Sequence, residues 1–335
     1  MKRVGNLYDK ICTFENLMEA DEKARKGKLK SHGVIKHDKN RIENLKRLSE
    51  MLCAGTYKTS KYEVFKIYEP KERDIYRLPY YPDRIVHHAV MNVLEPIWVS
   101  IFTADTYSCI KNRGIHAAAN KVKRALREDP KGTTFCLKID VRKFYPTINH
   151  DVLKLIIRQK LKDRRLLKLL DEVIDSADGV PIGNYLSQYF ANLYLAYFDH
   201  WIKEEKDVKY YFRYADDIVV LLPSKALLGI LMEDIREYMG DLKLHVKDNW
   251  QIFPVDSRGI DFLGYVFYHT HTRMRKSIKQ RLCRRVAKLN KRKALTEEVF
   301  KREVCSWWGW AKYCDSRNLI NNLSKNTKYE IKFRR

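Results

Sequence analysis

The stretch of this chain most suited to chemistry is Phe212-Arg-Tyr-Ala-Asp-Asp-Ile-Val-Val-Leu221. Strand-forming residues flank an adjacent acidic pair, so the pattern predicts a hairpin with Asp216 and Asp217 at its turn. Two neighbouring ionised carboxylates repel, and burying them adds a desolvation cost. A divalent cation removes both penalties. A second acidic strand end lies upstream, in Leu137-Lys-Ile-Asp-Val-Arg-Lys-Phe-Tyr-Pro146. There Asp140 closes an apolar strand, Thr134–Asp140, with Phe135, Leu137 and Ile139 pointing one way and Cys136, Lys138 and Asp140 the other. If the two strands are neighbours, Asp140 and Asp216 meet at one edge of a sheet. Hard oxygen ligands with room for water and phosphate suit Mg2+. Two such ions about 3.5–4 Å apart can activate a hydroxyl and stabilise a pyrophosphate leaving group. Such phosphoryl transfer asks little more of a protein than positioning and charge. A surface Asp-Asp turn is the ordinary alternative for 216–217, and the second acidic strand end argues against it.

Those carboxylates need a sheet with helical support. Residues 1–55 read as helices, with Ile42, Leu45, Leu48 and Leu52 at helical spacing. Residues 60–80 read as extended, and 83–100, 115–128, 150–175 and 184–205 as helices. Residues 208–222 read as the hairpin and 260–268 as a further short strand. Strands alternating irregularly with helices predict an α+β sheet core rather than a doubly wound fold. No repeat, low-complexity tract or linker interrupts the chain. From Arg273 to Lys293 there are eleven Lys/Arg in twenty-one residues and no Asp or Glu. Ile278, Leu282, Val286 and Leu289 form one apolar seam on this otherwise cationic helix. A face of one sign repels itself, which favours contact with a duplex backbone over a merely solvated surface. Trp307, Trp308, Trp310 and Tyr313, within 298–323, read as core behind it.

The balance of 66 Lys+Arg against 42 Asp+Glu gives a net charge of +24 over 335 residues, which points to a polyanionic partner. Seven cysteines with no C-x-x-C pair argue for reduced thiols, read as small buried hydrophobes, and against a disulfide frame or zinc cluster. No signal-type or membrane-spanning run is visible, so a cytoplasmic protein without membrane contact is expected.

Tyr-Ala-Asp-Asp, with the upstream Asp140-(x)4-Tyr145, resembles the palm of reverse transcriptases. Further segments resemble that family's motifs in order. Lys71-Glu-Arg-Asp-Ile75 with Leu78-Pro-Tyr-Tyr-Pro-Asp-Arg-Ile-Val-His-His88 is similar to the first fingers motif, and Tyr107-Ser-Cys-Ile-Lys-Asn-Arg-Gly114 to the second. Gly179-Val-Pro-Ile-Gly-Asn-Tyr-Leu-Ser-Gln188, continuing to Asn192 and Leu195, resembles the motif after the first catalytic strand. Leu242-Lys-Leu-His-Val-Lys247 and Phe262-Leu-Gly-Tyr265 resemble the last palm motifs, the latter the primer grip. The resemblance implies a right-hand polymerase, α+β, with fingers at 1–134 plus 150–180, an antiparallel palm within 135–270 and a helical thumb at 271–335. It implies two Mg2+ held by Asp140 and Asp216 with Asp217 supporting, and the Val141 carbonyl facing a triphosphate. Tyr145 would stack under the sugar and exclude a 2′-hydroxyl. Lys71, Arg73 and Arg113 would hold the triphosphate, with Ile182 and Gln188 beside the nucleotide. Gly264, Arg281, Arg284, Arg285 and Lys288 would meet primer and template.

One departure narrows the resemblance. Most members place Gln where this chain has Ile182, and Gln can brace the nascent pair through a hydrogen bond that Ile cannot make. The pattern Ile182-Gly-x-x-x-Ser-Gln188 is similar to reverse transcriptases of diversity-generating retroelements, which copy a template RNA with frequent errors opposite adenine. That implies dNTPs, template RNA, a cDNA/RNA duplex and a small basic oligomeric accessory protein as partners, in a bacterial or phage-encoded system. The chain length leads to the expectation that no RNase H, integrase, endonuclease or maturase module is present. The other readings are a bacterial antiphage-defence reverse transcriptase and a non-catalytic RNA-binding protein on a polymerase fold.

Overall fold

The computed structural model describes residues 2–68, 72–325, 327 and 329. The chain divides into two compact units, one of Met1–Ala104, Val141–Lys206 and Arg236–Val246, the other of Asp105–Asp140, Asp207–Ile235 and Lys247–Arg335.

The first unit is mostly helical. Tyr8–Cys12, Phe14–Arg25, His32–Asp38 and Arg41–Cys53 lead it. Thr13 caps the second helix by accepting from the Asn16 N–H. Leu45, Leu48 and Leu52 are fully buried as their spacing requires, but Ile42, one turn earlier, is half-exposed. The extended reading of 60–80 is met by two strands, β1 (Glu63–Ile67) antiparallel to β2 (Arg73–Arg77). A turn at Tyr80–Arg84 feeds Ile85–Val99, whose Val86, Val90, Leu94 and Trp98 are buried. The region 150–175 is two helices, His150–Lys160 and Arg164–Ile174. Asn149 and Asp163 cap them, accepting from Val152 and Leu166 N–H. The region 184–205 is likewise divided, into Tyr185–Tyr194, Ala196–His200 and Trp201–Glu205.

The second unit carries a five-stranded sheet. Its strands are β3 (Thr106–Tyr107), β4 (Phe135–Asp140), β5 (Tyr210–Tyr214), β6 (Asp217–Leu222) and β7 (Gln251–Pro254), in the order β3-β5-β6-β4-β7. Every pair is antiparallel except β3 with β5, which is parallel. Helix Ile115–Glu128 places Ala118, Ala119, Val122 and Leu126 in one core with Cys136, Phe212, Val219 and Leu221. The segment 260–268 is not one strand. It forms β8 (Ile260–Phe262) and β9 (Tyr265–Phe267), with β10 (Thr272–Met274) completing a three-stranded antiparallel sheet. Leu263 and Gly264 both have positive φ, +55° and +82°, the backbone that a two-residue hairpin turn demands.

Helix Lys276–Asn290 buries Leu282, Val286 and Leu289 against Phe300 and Val304 of Glu297–Lys312, and Arg317–Lys325 follows. Trp307, Trp308 and Trp310 are half-buried at the edge of this packing rather than core, and Tyr313 is half-buried against the core of the five-stranded sheet. Of the seven cysteines only Cys12 and Cys136 are buried, while Cys53, Cys109 and Cys305 are exposed. That overturns the reading of all seven as interior residues. Among the described residues no helix is long and apolar enough to cross a membrane.

Candidate active site

The hairpin β5–β6 turns at Ala215 and Asp216, because Tyr214 and Asp217 are the last paired residues. Ala215 takes a left-handed φ of +53°, and the fully buried Arg213 steadies it by donating to the Ala215 carbonyl at 3.1 Å. β6 also pairs with β4, and Asp217 stands directly opposite Asp140 in that register. Cross-strand partners share a face, so both carboxylates project from one face at one end of the sheet, with Asp216 on the adjoining turn.

Their surroundings are cationic. Lys247 is held to Asp140 twice, its N–H donating to the Asp140 carbonyl at 2.9 Å and its Nζ to Oδ2 at 2.5 Å. Lys138 Nζ lies 3.9 Å from Asp217 Oδ1. Burial first, and then the charges of Asp140 and Asp216, push the Asp217 carboxyl up to about 6, against the opposing pull of Lys138 and Arg275. Asp140 Oδ1 and Asp217 Oδ1 are both buried with no hydrogen-bond partner. An unpartnered carboxylate oxygen away from water is costly, and two on facing residues fit a site for a hard divalent cation. Among the described residues no three Asp, Glu, His or Cys side chains gather closely enough to cage a metal alone. The set therefore fits an ion that keeps water and substrate phosphate as its remaining ligands.

The other expected residues fall in both units. Val141 is buried and bridges Val246 in the first unit. Tyr145 is half-buried in the short helix Phe144–Thr147, and its carbonyl accepts from the Val180 N–H at 2.9 Å. Gly179, in the loop before helix Tyr185–Tyr194 that packs against this turn, must be glycine, since it has φ +59° and a Cβ would lie 2.5 Å from the Pro146 carbonyl oxygen. The Ile182 carbonyl accepts from the Tyr76 N–H at 2.8 Å, joining this loop to β2. Gln188 is exposed on helix Tyr185–Tyr194, and Arg73 is exposed on β2. Lys71 lies outside the described residues. In the second unit, Arg113 closes a turn by donating its N–H to Ile110 O at 3.0 Å. Gly264 sits against the Trp310 ring and Ile278, which a side chain there would strike. Arg281, Arg284 and Lys288 are exposed, but Arg285 is ion-paired with Glu303 and is not an uncommitted cation. Lys138 and Lys247 went unassigned from sequence. The signal for Lys138 was its place two residues before Asp140, on the same strand face.

Residues 69–267 match the family model for reverse transcriptase (RNA-dependent DNA polymerase). Protein YkfC of Escherichia coli is 27% identical over 270 residues, covering 66% of this chain and 70% of that protein. The group II intron-encoded protein LtrA of Lactococcus lactis is 24% identical over 177 residues, which is 49% of this chain and 29% of LtrA. The structure of apo telomerase from Candida tropicalis superposes with a TM-score of 0.52 at 12% identity, over 82% of this chain and 60% of that one. At that identity the likeness speaks to the fold, which is that of a right-hand polymerase. With more than half of its length matched to that model, this chain belongs to the reverse transcriptase family, the RNA-directed DNA polymerases.

Proposed function

We propose that the chain copies a template RNA into cDNA by two-metal nucleotidyl transfer, as the error-prone enzyme of a diversity-generating retroelement. The observation that carries the polymerase part is the facing pair Asp140 and Asp217, each with a buried unpartnered oxygen. Asp140, Asp216 and Asp217 would hold two Mg2+, which when bound supply an activated 3′-hydroxyl and charge for the departing pyrophosphate. Lys247 holds Asp140 in place through Oδ2, leaving Oδ1 for the ion. Lys71, Arg73 and Arg113 would neutralise the triphosphate of the dNTP, and Tyr145 would exclude ribose. Residues 1–134 with 150–180 would serve as fingers, those within 135–270 as palm and 271–335 as thumb, and the RNA and the cDNA/RNA duplex would be their ligands. A small basic oligomeric accessory protein would complete the complex, in a bacterial cytoplasm. The direct test is Mg2+-dependent primer extension on an RNA template. RNA binding without dNTP incorporation would turn the reading toward a non-catalytic binder.

Ile182 supports the error-prone part. Its backbone is held to β2 and its half-buried side chain has no polar atom to brace a base pair. Ile182→Gln is expected to lower misincorporation opposite template adenine by about tenfold, for which ~1.4 kcal/mol of added discrimination suffices. Sequencing of cDNA made by both enzymes on one adenine-containing RNA, with the accessory protein present, checks this. An unchanged error spectrum at equal yield removes Ile182 from the role. A wild type already faithful opposite adenine counts against the retroelement reading and favours a defence-type enzyme.

The exposed Arg281, Arg284 and Lys288 support a duplex contact on helix Lys276–Asn290. Their joint replacement by Gln is expected to flatten the slope of log affinity against log salt by about 2 to 3, with Glu303 keeping Arg285 out of the count. Duplex binding measured across a salt series decides it, and an unchanged slope means that these cations meet only solvent.

A further inference from the structure

Lys138 stands two residues before Asp140 on β4, opposite Val219, so it shares the face of Asp140 and is the diagonal neighbour of Asp217. Its ammonium makes two contacts at once. It lies 3.9 Å from Asp217 Oδ1, and it donates a short hydrogen bond to the Asp261 carbonyl of β8. The Asp261 carboxylate in turn accepts from Arg275 Nε at 2.6 Å, and the Arg275 N–H donates to the Gly264 carbonyl at 2.9 Å. One chain of contacts thus runs from the acidic end of the palm sheet to the turn of the β8–β9 hairpin.

Lys138 differs from Lys247 in a way that matters. Lys247 is hydrogen-bonded to a carboxylate oxygen, whereas Lys138 donates its hydrogen bond to a carbonyl and leaves Asp217 Oδ1 without one. Asp217 therefore feels the charge of Lys138 without losing a ligand atom to it. We propose that Lys138 is a positioning residue that acts in two ways. It tethers the β8–β9 hairpin to β4, and its charge beside Asp217 limits how tightly the carboxylates hold a divalent cation. The inference rests on the metal-dependent polymerase reading above. Weakened cation binding is useful where ions must enter with each nucleotide and leave with pyrophosphate.

The test uses the full chain and Mn2+ as probe, with free Mn2+ read by electron paramagnetic resonance, and a primer–template duplex titrated separately. Lys138→Met and Lys138→Gln each remove a charge about 4 Å from Asp217, so both are expected to tighten Mn2+ binding roughly three- to tenfold. Both are expected to weaken duplex binding several-fold, because the hairpin tether is gone. Lys138→Arg keeps charge and donors and should restore both values. Opposite shifts in the two affinities are the signature, since general loosening of the fold weakens both. If the Met variant does not fold, the Gln and Arg variants give the same comparison. Neutral variants that bind Mn2+ no more tightly than wild type overturn the role of Lys138 alone. A wild type that binds no Mn2+ overturns the metal reading beneath it as well.

Discussion

The double variant Asp216→Asn, Asp217→Asn is expected to lose dNTP incorporation by about a thousandfold or more while becoming more resistant to heat. The activity loss follows from removing two of the three carboxylates that would carry the metal ions, whose electrostatic contribution to phosphoryl transfer is several kcal/mol. The gain in stability follows from the cost of keeping Asp217 charged in its buried setting. Its carboxyl titrates at about 6 when folded, raised from the ordinary 3.8 by burial and by Asp140 and Asp216. A group with a raised folded value favours the fold fully below the unfolded value and loses that contribution as pH rises through the folded one. In metal-free buffer the wild type should therefore lose stability between about pH 4 and pH 6, and the double variant should not. With allowance for solvent reaching Asp217, the difference above pH 6 is ~2 kcal/mol, or a few degrees in melting temperature. Thermal melts at pH 4, 6 and 8 with a chelator present check the sign. A variant less stable than wild type at pH 8 would mean that the acidic pair supports the fold rather than straining it.

This opposition of stability and chemistry was only half legible in the sequence. The hairpin at 208–222 could be read because strand-formers bracket Asp216 and Asp217, and the structure pairs Tyr210–Tyr214 with Asp217–Leu222 as that pattern requires. The neighbouring of β4 and β6 could be posed only as a condition, and the register that sets Asp140 against Asp217 meets it. Pairing between strands about eighty residues apart leaves no local trace, so the partners of the carboxylates stayed hidden. Lys247 and Lys138 each look like one more cation in a chain of net charge +24. Only the fold brings one to Asp140 and the other beside Asp217.

Other omissions have different causes. Helix Lys225–Asp241 has its signal in plain view, with Leu228, Leu231, Met232, Ile235 and Met239 buried at helical spacing, and went unread. The break at Leu263-Gly264 was hidden because Ile260–Phe267 is continuously apolar apart from Asp261, which suits one strand as well as two. Residue type misled at Arg285, whose helix looks uniformly cationic until Glu303 on the next helix pairs with it. It misled again at the cysteines, where small size suggested burial and three of seven are exposed.

Tyr145→Ala is expected to admit ribonucleotides, raising rNTP incorporation relative to dNTP by on the order of a hundredfold. The short helix bearing Tyr145, Phe144–Thr147, is anchored through its backbone. Val180 donates to the Tyr145 carbonyl, Gly179 packs against the carbonyl of Pro146, and His150 Nε2 lies 2.8 Å from the Gly179 carbonyl. The ring itself makes an edge contact with Phe144 at 5.6 Å between centroids and is half-buried. Truncation at Cβ should therefore leave these backbone contacts in place while removing the aromatic wall. A pocket that rejects one extra small group by steric fit commands about 1–3 kcal/mol of discrimination, which is roughly 10- to 200-fold. The change should appear in kcat/KM for rNTPs with that for dNTPs lowered far less, because the barrier acts on the 2′-hydroxyl alone. Competition assays with each dNTP/rNTP pair on one primer–template measure it directly. Unchanged selectivity, with extension by dNTPs intact, would remove Tyr145 from sugar choice. A parallel loss with both nucleotides would instead place the ring among the groups that stack on the incoming sugar without reading it. Gly179→Ala is the informative control. It strains the neighbouring segment that packs on Tyr145 and Pro146, through a backbone with φ +59°, and should depress incorporation of both nucleotides together, leaving the ratio between them unmoved.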